Sequence, residues 1–280
     1  MTDSREEDRR RVVLVTGASR GIGRTTSEHL ATDGWRVFAT VRDSRAGTRA
    51  QHPSELTYLH ADVRDTLSLR SAIADLLAAT RGRLNAVVAN AGIAAVGTFE
   101  DTPAEVMAAL METNYHGVLN TVREALPALR ANQGRIVVIS SDSAIYGTAG
   151  LSGYSASKFA LEGWAESVAY ELRPAGILLS IIRPGAFRTD IWQSQIYRQE
   201  SSAAPQLAET VAANWRAAAN RAADPSQVAK AVAKALTENH PRLRYTVGGD
   251  ARRAAFLRRM LPDSLFFQFV ERGNKLTRPG

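Results

Sequence analysis

The chain has 280 residues, of which 45% are hydrophobic and 22% are charged, enough apolar material to bury one large core. The absence of cysteine excludes disulfides, thiolate metal sites and a cysteine nucleophile, and the five histidines are scattered, so no metal site is expected. The net charge of +7 is spread along the chain without a recognised nucleic-acid module, which predicts a solvated basic surface and no nucleic-acid partner.

The first ten residues are charged and carry no hydrophobic periodicity, so residues 1–10 are predicted to be a disordered leader. They lack the apolar stretch of a signal peptide, and no apolar run approaches the roughly 20 residues that a membrane span needs. We therefore expect a cytosolic protein without stable membrane insertion.

From residue 11 onward, β-branched runs alternate with segments of helical periodicity. The predicted strands are 11–16, 35–41, 56–61, 84–90, 135–140 and 177–183. The predicted helices are 22–33, 66–80, 103–130 and 153–173. Strands and helices in alternation predict an α/β fold, a three-layer, doubly wound parallel sheet of Rossmann type with about seven strands. A further helix at 225–237 and a last strand near 243–247 complete this catalytic domain, 11–250.

Residues 186–223 interrupt the alternation and predict an insertion of short helices. Because ligands bind beyond the carboxyl ends of the strands in an open α/β sheet, this insertion is predicted to form a lid over that crevice. Its aromatic residues Trp192, Tyr197 and Trp215 are either lid packing or pocket walls, and Trp192 is taken as the substrate contact. The amphipathic C-terminal tail, 251–280, is expected to dock on the domain, with an interface or membrane contact as alternatives.

A glycine-rich turn follows the first predicted strand. Glycines at this position permit a tight turn and close approach to a pyrophosphate, which the N-terminus of the next helix attracts. An ordinary strand–helix turn is the alternative. The residues predicted to contact the cofactor here are Gly17, Ser19, Arg20, Gly21, Ile22 and Gly23.

Tyr154 and Lys158 are four residues apart and share one face of the predicted helix 153–173. The Lys158 ammonium is expected to lower the pKa of the Tyr154 phenol, because a nearby cation favours the anion. Such a phenol can exchange a proton with a carbonyl or alcohol oxygen, and Ser141 stands at the end of the strand 135–140. This combination is typical of a carbonyl/alcohol oxidoreductase.

These motifs together resemble the short-chain dehydrogenase/reductase family in its single-domain form, over about residues 11–250. The Gly-x-x-x-Gly-x-Gly spacing and the Tyr-x-x-x-Lys pair carry the resemblance. Further matching segments follow in the same order: Asp62-Val63, Asn90-Ala91-Gly92, Asn114, Ser141, and Pro184-Gly185 followed by Thr189. Ala89 departs from the pattern, since the family usually has a second Asn there.

The resemblance implies a role for each matching residue. Asp62 and Val63 flank the adenine, Asn90, Ala91 and Gly92 form a turn beside the cofactor, and Pro184, Gly185 and Thr189 lie against the nicotinamide. The implied catalytic set is Asn114, Ser141, Tyr154 and Lys158, in which Lys158 also holds the ribose and Asn114 positions a water. Taken singly, Ser141 is equally a strand-end cap and Asn114 a mid-helix polar residue.

Cofactor preference is predicted from the end of the second strand. An acidic residue there binds the ribose of NAD, whereas Arg accommodates the 2′-phosphate of NADP. Here the position of the acidic residue is occupied by the uncharged Val41, and Arg42 follows it. Arg20, in the glycine turn, adds a second cation, and the two arginines favour NADP(H). Asp43 is the alternative ribose ligand.

The sequence thus predicts an NADPH-dependent ketone or aldehyde reductase that works as a homodimer or homotetramer, because the helices 103–130 and 153–173 expose apolar faces. Two alternatives are a catalytically silent NADP(H) sensor and an epimerase or dehydratase of the same superfamily. The substrate is not readable from the sequence, with a bulky apolar carbonyl compound favoured.

Overall fold

A computed structural model describes residues 10–43, 53–198 and 204–276. Among these residues, seven strands form one parallel sheet in the order β3-β2-β1-β4-β5-β6-β7. The strands are β1 Val12–Val15, β2 Arg36–Val41, β3 Leu56–His60, β4 Ala86–Ala89, β5 Arg135–Ile139, β6 Leu178–Pro184 and β7 Arg244–Val247. The Rossmann-type prediction is confirmed, and the predicted leader at residues 1–9 lies outside the described residues.

Helices cover both faces of this sheet. They are α1 Gly21–Thr32, α2 Thr66–Thr80, α3 Ala104–Met111, α4 Gly117–Ala131, α5 Ser152–Leu172, α6 Pro205–Asn220, α7 Ser226–Thr237, α8 Gly249–Met260 and α9 Asp263–Gly273. Shorter turns of 3₁₀-helix are Asp142–Ala144, Arg173–Ala175 and Asp190–Gln193.

The strands are buried on both sides, which is why they read as unbroken apolar runs in the sequence. In β1, Val12 and Leu14 face the core beneath α2, α4 and α5. Val13 and Val15 face the opposite core, beneath α1 and α7. Because all seven strands are parallel, their carboxyl ends lie along one edge of the sheet, where the candidate site lies.

Two predicted elements differ from the structure. The single helix 103–130 is interrupted by a turn of π-helix, Glu112–His116, between α3 and α4. The predicted lid, 186–223, contains in its described residues one short 3₁₀ turn and the 16-residue helix α6 rather than several short helices. Alanine-rich composition favours one continuous helix, which the sequence prediction underweighted.

Candidate active site

The glycine turn at the end of β1 has no room for larger side chains. Gly17 adopts φ +67°, and a Cβ there would lie 2.7 Å from the Cα of Ala91. A Cβ on Gly23 would lie 2.4 Å from the Gly17 carbonyl oxygen. Asn90 fixes this turn, since its side-chain amide donates to the Thr16 and Gly17 carbonyls at 2.9 and 3.1 Å. Asn90 thus makes polar contacts without a second Asn at the preceding position.

Helix α1 starts directly after this turn with backbone N–H groups available for an anion. Its N-cap residue, Arg20, makes no side-chain capping hydrogen bond. Gly21 adopts φ +58°, and a Cβ there would lie 3.1 Å from the Cβ of Thr189, so Thr189 stands directly over the turn. Arg20 Nε lies 3.7 Å from the Asp190 carboxylate, which the sequence did not indicate. A pyrophosphate suits this arrangement, because the unpaired N–H groups carry the positive end of the helix dipole.

Arg42 and Asp62 lie in the same crevice on the β2 side of the glycine turn, after β2 and β3. Arg64 holds the Asp62 carboxylate at 2.7 Å and lowers its pKa, and Arg42 adds a weaker electrostatic contribution in the same direction. Val63 is buried beside them. Arg64 was not among the predicted residues, although its position two residues after Asp62 makes such a contact a local one.

Asn114 is at the centre of the π-helical turn and is fully buried. Its side-chain oxygen accepts from the Ile93 N–H at 2.8 Å, and its amide donates to the Ile93 carbonyl and to Ser157 Oγ, both at 3.0 Å. These bonds tie the segment after β4 to α5. Asn114 therefore positions the wall of the site from behind.

Tyr154 and Lys158 occupy the first two turns of α5. Lys158 Nζ lies 5.8 Å from the centre of the Tyr154 ring and donates to the Ile139 carbonyl at 3.0 Å. The lysine is only 4% exposed. Ser141 follows β5, where its Oγ accepts from the Ser143 N–H at 3.1 Å and caps a 3₁₀ turn. Ser141 therefore caps the backbone that follows β5, which is close to the simpler role considered for it.

The prediction of a lowered Tyr154 pKa is wrong. Burial outweighs every other influence and raises the pKa of Tyr154 to about 12, although a hydrogen bond with Ser141 acts in the opposite direction. Burial also lowers the pKa of Lys158 to about 8, against the attraction of Glu162. At neutral pH the phenol therefore keeps its proton and the lysine remains mostly charged.

A buried ion cluster supports the positive charge of Lys158. Glu162, one turn further along α5, accepts from Ser140 Oγ at 2.8 Å and from Arg183 Nε at 2.7 Å. Arg244 approaches the same carboxylate to 3.3 Å. These partners satisfy the buried Glu162 carboxylate, which attracts the Lys158 ammonium.

Lys158 also gives a testable prediction for stability. Its pKa falls from 10.5 to about 8 on folding, which lowers the free energy of unfolding by about 3 kcal/mol at neutral pH. Lys158→Met removes this cost and loses only about 1 kcal/mol of hydrogen-bond stabilisation. Lys158→Met should therefore raise the free energy of unfolding by about 2 kcal/mol, as measured by urea denaturation at about pH 7.

The pH dependence supplies the check. Between pH 8 and 10.5 the unfolded chain binds more protons at this lysine, so wild-type stability rises with pH through that window. The variant should lack this rise, and its advantage should disappear near pH 10.5. Lys230→Met, on the exposed side of α7, serves as the control and should not change stability by this amount. Equal stability of Lys158→Met and wild type at neutral pH would contradict the burial cost.

Asp142 is a site residue that the sequence prediction missed. It accepts a hydrogen bond from Ser141 Oγ at 3.0 Å, and burial in the crevice raises its pKa to about 6. Asp250 of α8 strengthens this shift. The Asp250 carboxylate accepts from the Ala186 N–H at 2.9 Å, and a Cβ on Gly185 would lie 2.3 Å from it, which explains the glycine. Only its position after Ser141 could have indicated Asp142.

One cavity of about 1200 Å³ joins these groups. With the exception of Asn114, every predicted site residue lines it: Gly17, Ser19, Arg20, Gly21, Ile22, Gly23, Arg42, Asp62, Val63, Asn90, Ala91, Gly92, Ser141, Tyr154, Lys158, Pro184, Gly185, Thr189 and Trp192.

Residues of the predicted lid and of the two C-terminal helices also line the cavity. Trp192 packs against Trp215 with ring centres 4.5 Å apart, and both line the cavity, so Trp215, which the sequence left open as packing or pocket wall, is a wall residue as well. Arg253 of α8 and Phe269 of α9 also line it, and no cavity contact was predicted for this tail. Phe266 secures that docking, since it is buried against Tyr146 at 5.6 Å.

None of the helices in the described residues is both long and apolar enough to cross a membrane. Within residues 10–43, 53–198 and 204–276, no group of three His, Cys, Asp or Glu side chains could hold a metal ion.

Comparison with known proteins places the chain in a family. The short chain dehydrogenase family matches residues 11–201. A 3-ketodihydrosphingosine reductase from Bacteroides thetaiotaomicron is 30% identical over 242 residues, which cover 85% of this chain and 87% of the relative. Human 17-beta-hydroxysteroid dehydrogenase type 1 is 32% identical over 255 residues, covering 84% and 77%. The crystal structure of a short-chain dehydrogenase from Streptomyces avermitilis aligns with TM-score 0.79 at 35% identity over 94% and 95%.

The chain therefore belongs to the short chain dehydrogenase family, as its motifs had predicted. This is a family of oxidoreductases that use nicotinamide cofactors.

Proposed function

We propose that the protein is an NADPH-dependent carbonyl reductase that also runs in reverse as an alcohol dehydrogenase. One observation carries the proposal: the glycine turn, Ser141, Tyr154 and Lys158 line a single cavity. A dinucleotide extended from the start of α1 along the strand ends would bring its nicotinamide toward Tyr154.

The bound nicotinamide would supply the hydride for the carbonyl carbon. Tyr154 donates the proton to the carbonyl oxygen, so that the carbonyl becomes an alcohol and Tyr154 regains a proton from solvent. A pKa of about 12 keeps that proton in place at neutral pH, which suits the direction of reduction. Ser141 hydrogen-bonds the same oxygen, and the Lys158 ammonium stabilises the phenolate as it forms.

The cofactor would be held along the whole crevice. The glycine turn and the N-terminus of α1 bind the pyrophosphate, Asp62 and Val63 flank the adenine, and Lys158 binds the nicotinamide ribose. The preference for NADP(H) rests on Arg42 and Arg20. The position of Arg42 close enough to influence Asp62 supports this assignment, because it places the cation at the adenosine end.

A bulky apolar carbonyl compound is the proposed substrate class. Trp192, Trp215 and Phe269 supply apolar walls, and two relatives are named for 3-ketodihydrosphingosine and for a 17-beta-hydroxysteroid. A screen of such ketones by NADPH absorbance tests the function, and oxidation that depends on the ketone is the expected result. NADPH binding without turnover of any carbonyl compound would favour the catalytically silent sensor instead.

We also propose a homodimer or homotetramer. Helix α5 exposes Phe159 and Tyr170, apolar surface that a second copy would cover. Light scattering at micromolar concentration should give a mass of two or four chains, and Phe159→Ser with Tyr170→Ser should reduce it. A strictly monomeric wild-type mass would contradict this arrangement.

A further inference from the structure

Helix α8 has an unusual outward face. Its buried residues, Ala251 and Ala254, face the protein. At 100° per residue, the opposite side of the helix is covered by five exposed residues, in which three arginines flank two apolar side chains: Arg252, Arg253, Phe256, Arg259 and Met260. A helix that only docked on the domain would place its large apolar side chains on the inner face.

Exposed apolar side chains are concentrated here. Phe256 and Met260 are 63% and 62% exposed, and Leu265 and Phe267 of α9 are 49% and 66% exposed. These four belong to nine large exposed hydrophobics among the described residues, yet they fall within twelve positions. Phe266, between two of them, is fully buried, so the core beneath α9 is already filled.

The outward face of α8 is positively charged. Residues 249–276 carry five arginines and one lysine against two aspartates and one glutamate. Asp250 is turned inward onto the Ala186 N–H, and Asp263 pairs with Arg258. The outward face of α8 therefore carries cations and no anion.

We propose that this face, formed by Arg252, Phe256, Arg259 and Met260 of α8, docks on an anionic lipid bilayer. Apolar tips flanked by arginines suit the headgroup region, where the tips enter the acyl boundary and the guanidiniums remain at the phosphates. A second copy about a two-fold axis would oppose like charges.

The same two helices form a wall of the cavity. Arg253 is exposed and also lines the cavity, while Ala254 of α8 and Val270 of α9 line it from within. Docking therefore places the cavity beside the bilayer, so that a lipid-soluble ketone could reach it without crossing water. This last step rests on the proposed function, whereas the docking itself does not.

Vesicle co-sedimentation of the full chain tests the docking. Wild-type protein should sediment with phosphatidylcholine vesicles that contain phosphatidylglycerol, and much less with phosphatidylcholine alone. Each arginine near an anionic surface strengthens binding about fivefold, so Arg252→Gln with Arg259→Gln should weaken it about 20-fold. Phe256→Ser with Met260→Ser should weaken it about tenfold or more, because the apolar anchors are lost.

A matched control is Arg173→Gln with Lys230→Gln, which removes two charges from exposed positions elsewhere. An equal loss in this control would assign binding to the overall charge and overturn the proposal. Absence of sedimentation with anionic vesicles, or equal sedimentation with neutral ones, would also overturn it. Self-association that Phe256→Ser with Met260→Ser abolishes, without vesicle binding, would assign the face to a second copy.

Turnover of a water-soluble carbonyl compound without vesicles separates this inference from the proposed function. All these variants should retain wild-type turnover, which also shows that they fold. Turnover without vesicle binding would overturn the docking alone. Vesicle binding without turnover of any carbonyl compound would overturn the proposed function alone.

Discussion

Replacement of Tyr154 by Phe is expected to lower kcat about 10²–10⁴-fold, the usual contribution of a general acid. The substitution removes one hydroxyl and keeps the ring that packs beside Lys158. NADPH binding should therefore stay close to wild type, as measured by quenching of protein fluorescence. The loss should appear in kcat rather than KM, because the proton moves only in the transition state.

Tyr146→Phe is the matched control. Tyr146 lines the same cavity, and burial raises its pKa to about 12 as it does for Tyr154. It packs against Phe266 rather than beside Lys158. If both variants lose the same activity, a general effect of pocket hydroxyls explains the result. Retention of more than about a tenth of wild-type kcat in Tyr154→Phe would show that Tyr154 is not the acid.

The sequence was sufficient where local chemistry determines structure. The turn at Gly17 and Gly23 could be predicted because only glycine fits there: a Cβ at either position would collide with neighbouring backbone. The strands could be placed because burial on both faces requires apolar runs. The proximity of Tyr154 and Lys158 follows from their i,i+4 spacing in a helix.

The sequence was insufficient where distant segments meet. Asp250 enters the site through the fold, more than sixty residues after Gly185, and no local pattern indicates that contact. The pKa of Tyr154 was predicted in the wrong direction because spacing shows a neighbouring cation but not the depth of burial. The family resemblance indicates a kink at Asn114, but helical periodicity does not, because the long-range bonds to Ile93 and Ser157 that accompany the interruption are not visible in a local pattern.

Cofactor preference should depend on two cations. Arg42 has no carboxylate before it at Val41, and Arg20 pairs with Asp190 only at 3.7 Å and in an exposed position. Such surface pairs contribute about 0–1 kcal/mol, whereas a charge-assisted contact with a phosphate contributes about 1.5–3 kcal/mol. A contact between Arg20 and a 2′-phosphate would therefore be more favourable than its present pair with Asp190.

Arg42→Ala with Arg20→Ala should weaken NADPH binding and leave NADH binding almost unchanged. Two contacts of this size correspond to a loss of roughly 10²-fold or more in relative preference, measured as the ratio of kcat/KM for the two cofactors. Arg188→Ala is the control, because Arg188 is an exposed arginine after β6, paired with Asp224 and absent from the described lining of the cavity. It should leave the ratio unchanged.

Val41→Asp should move preference further toward NADH. The new carboxylate would repel the 2′-phosphate and offer the ribose of NADH a hydrogen-bond acceptor. If wild-type protein uses NADH as well as NADPH, the assignment of Arg42 fails, and Asp43 becomes the better candidate for the ribose contact. Asp43→Ala then distinguishes the two arrangements, since it should impair NADH use only if Asp43 binds that ribose.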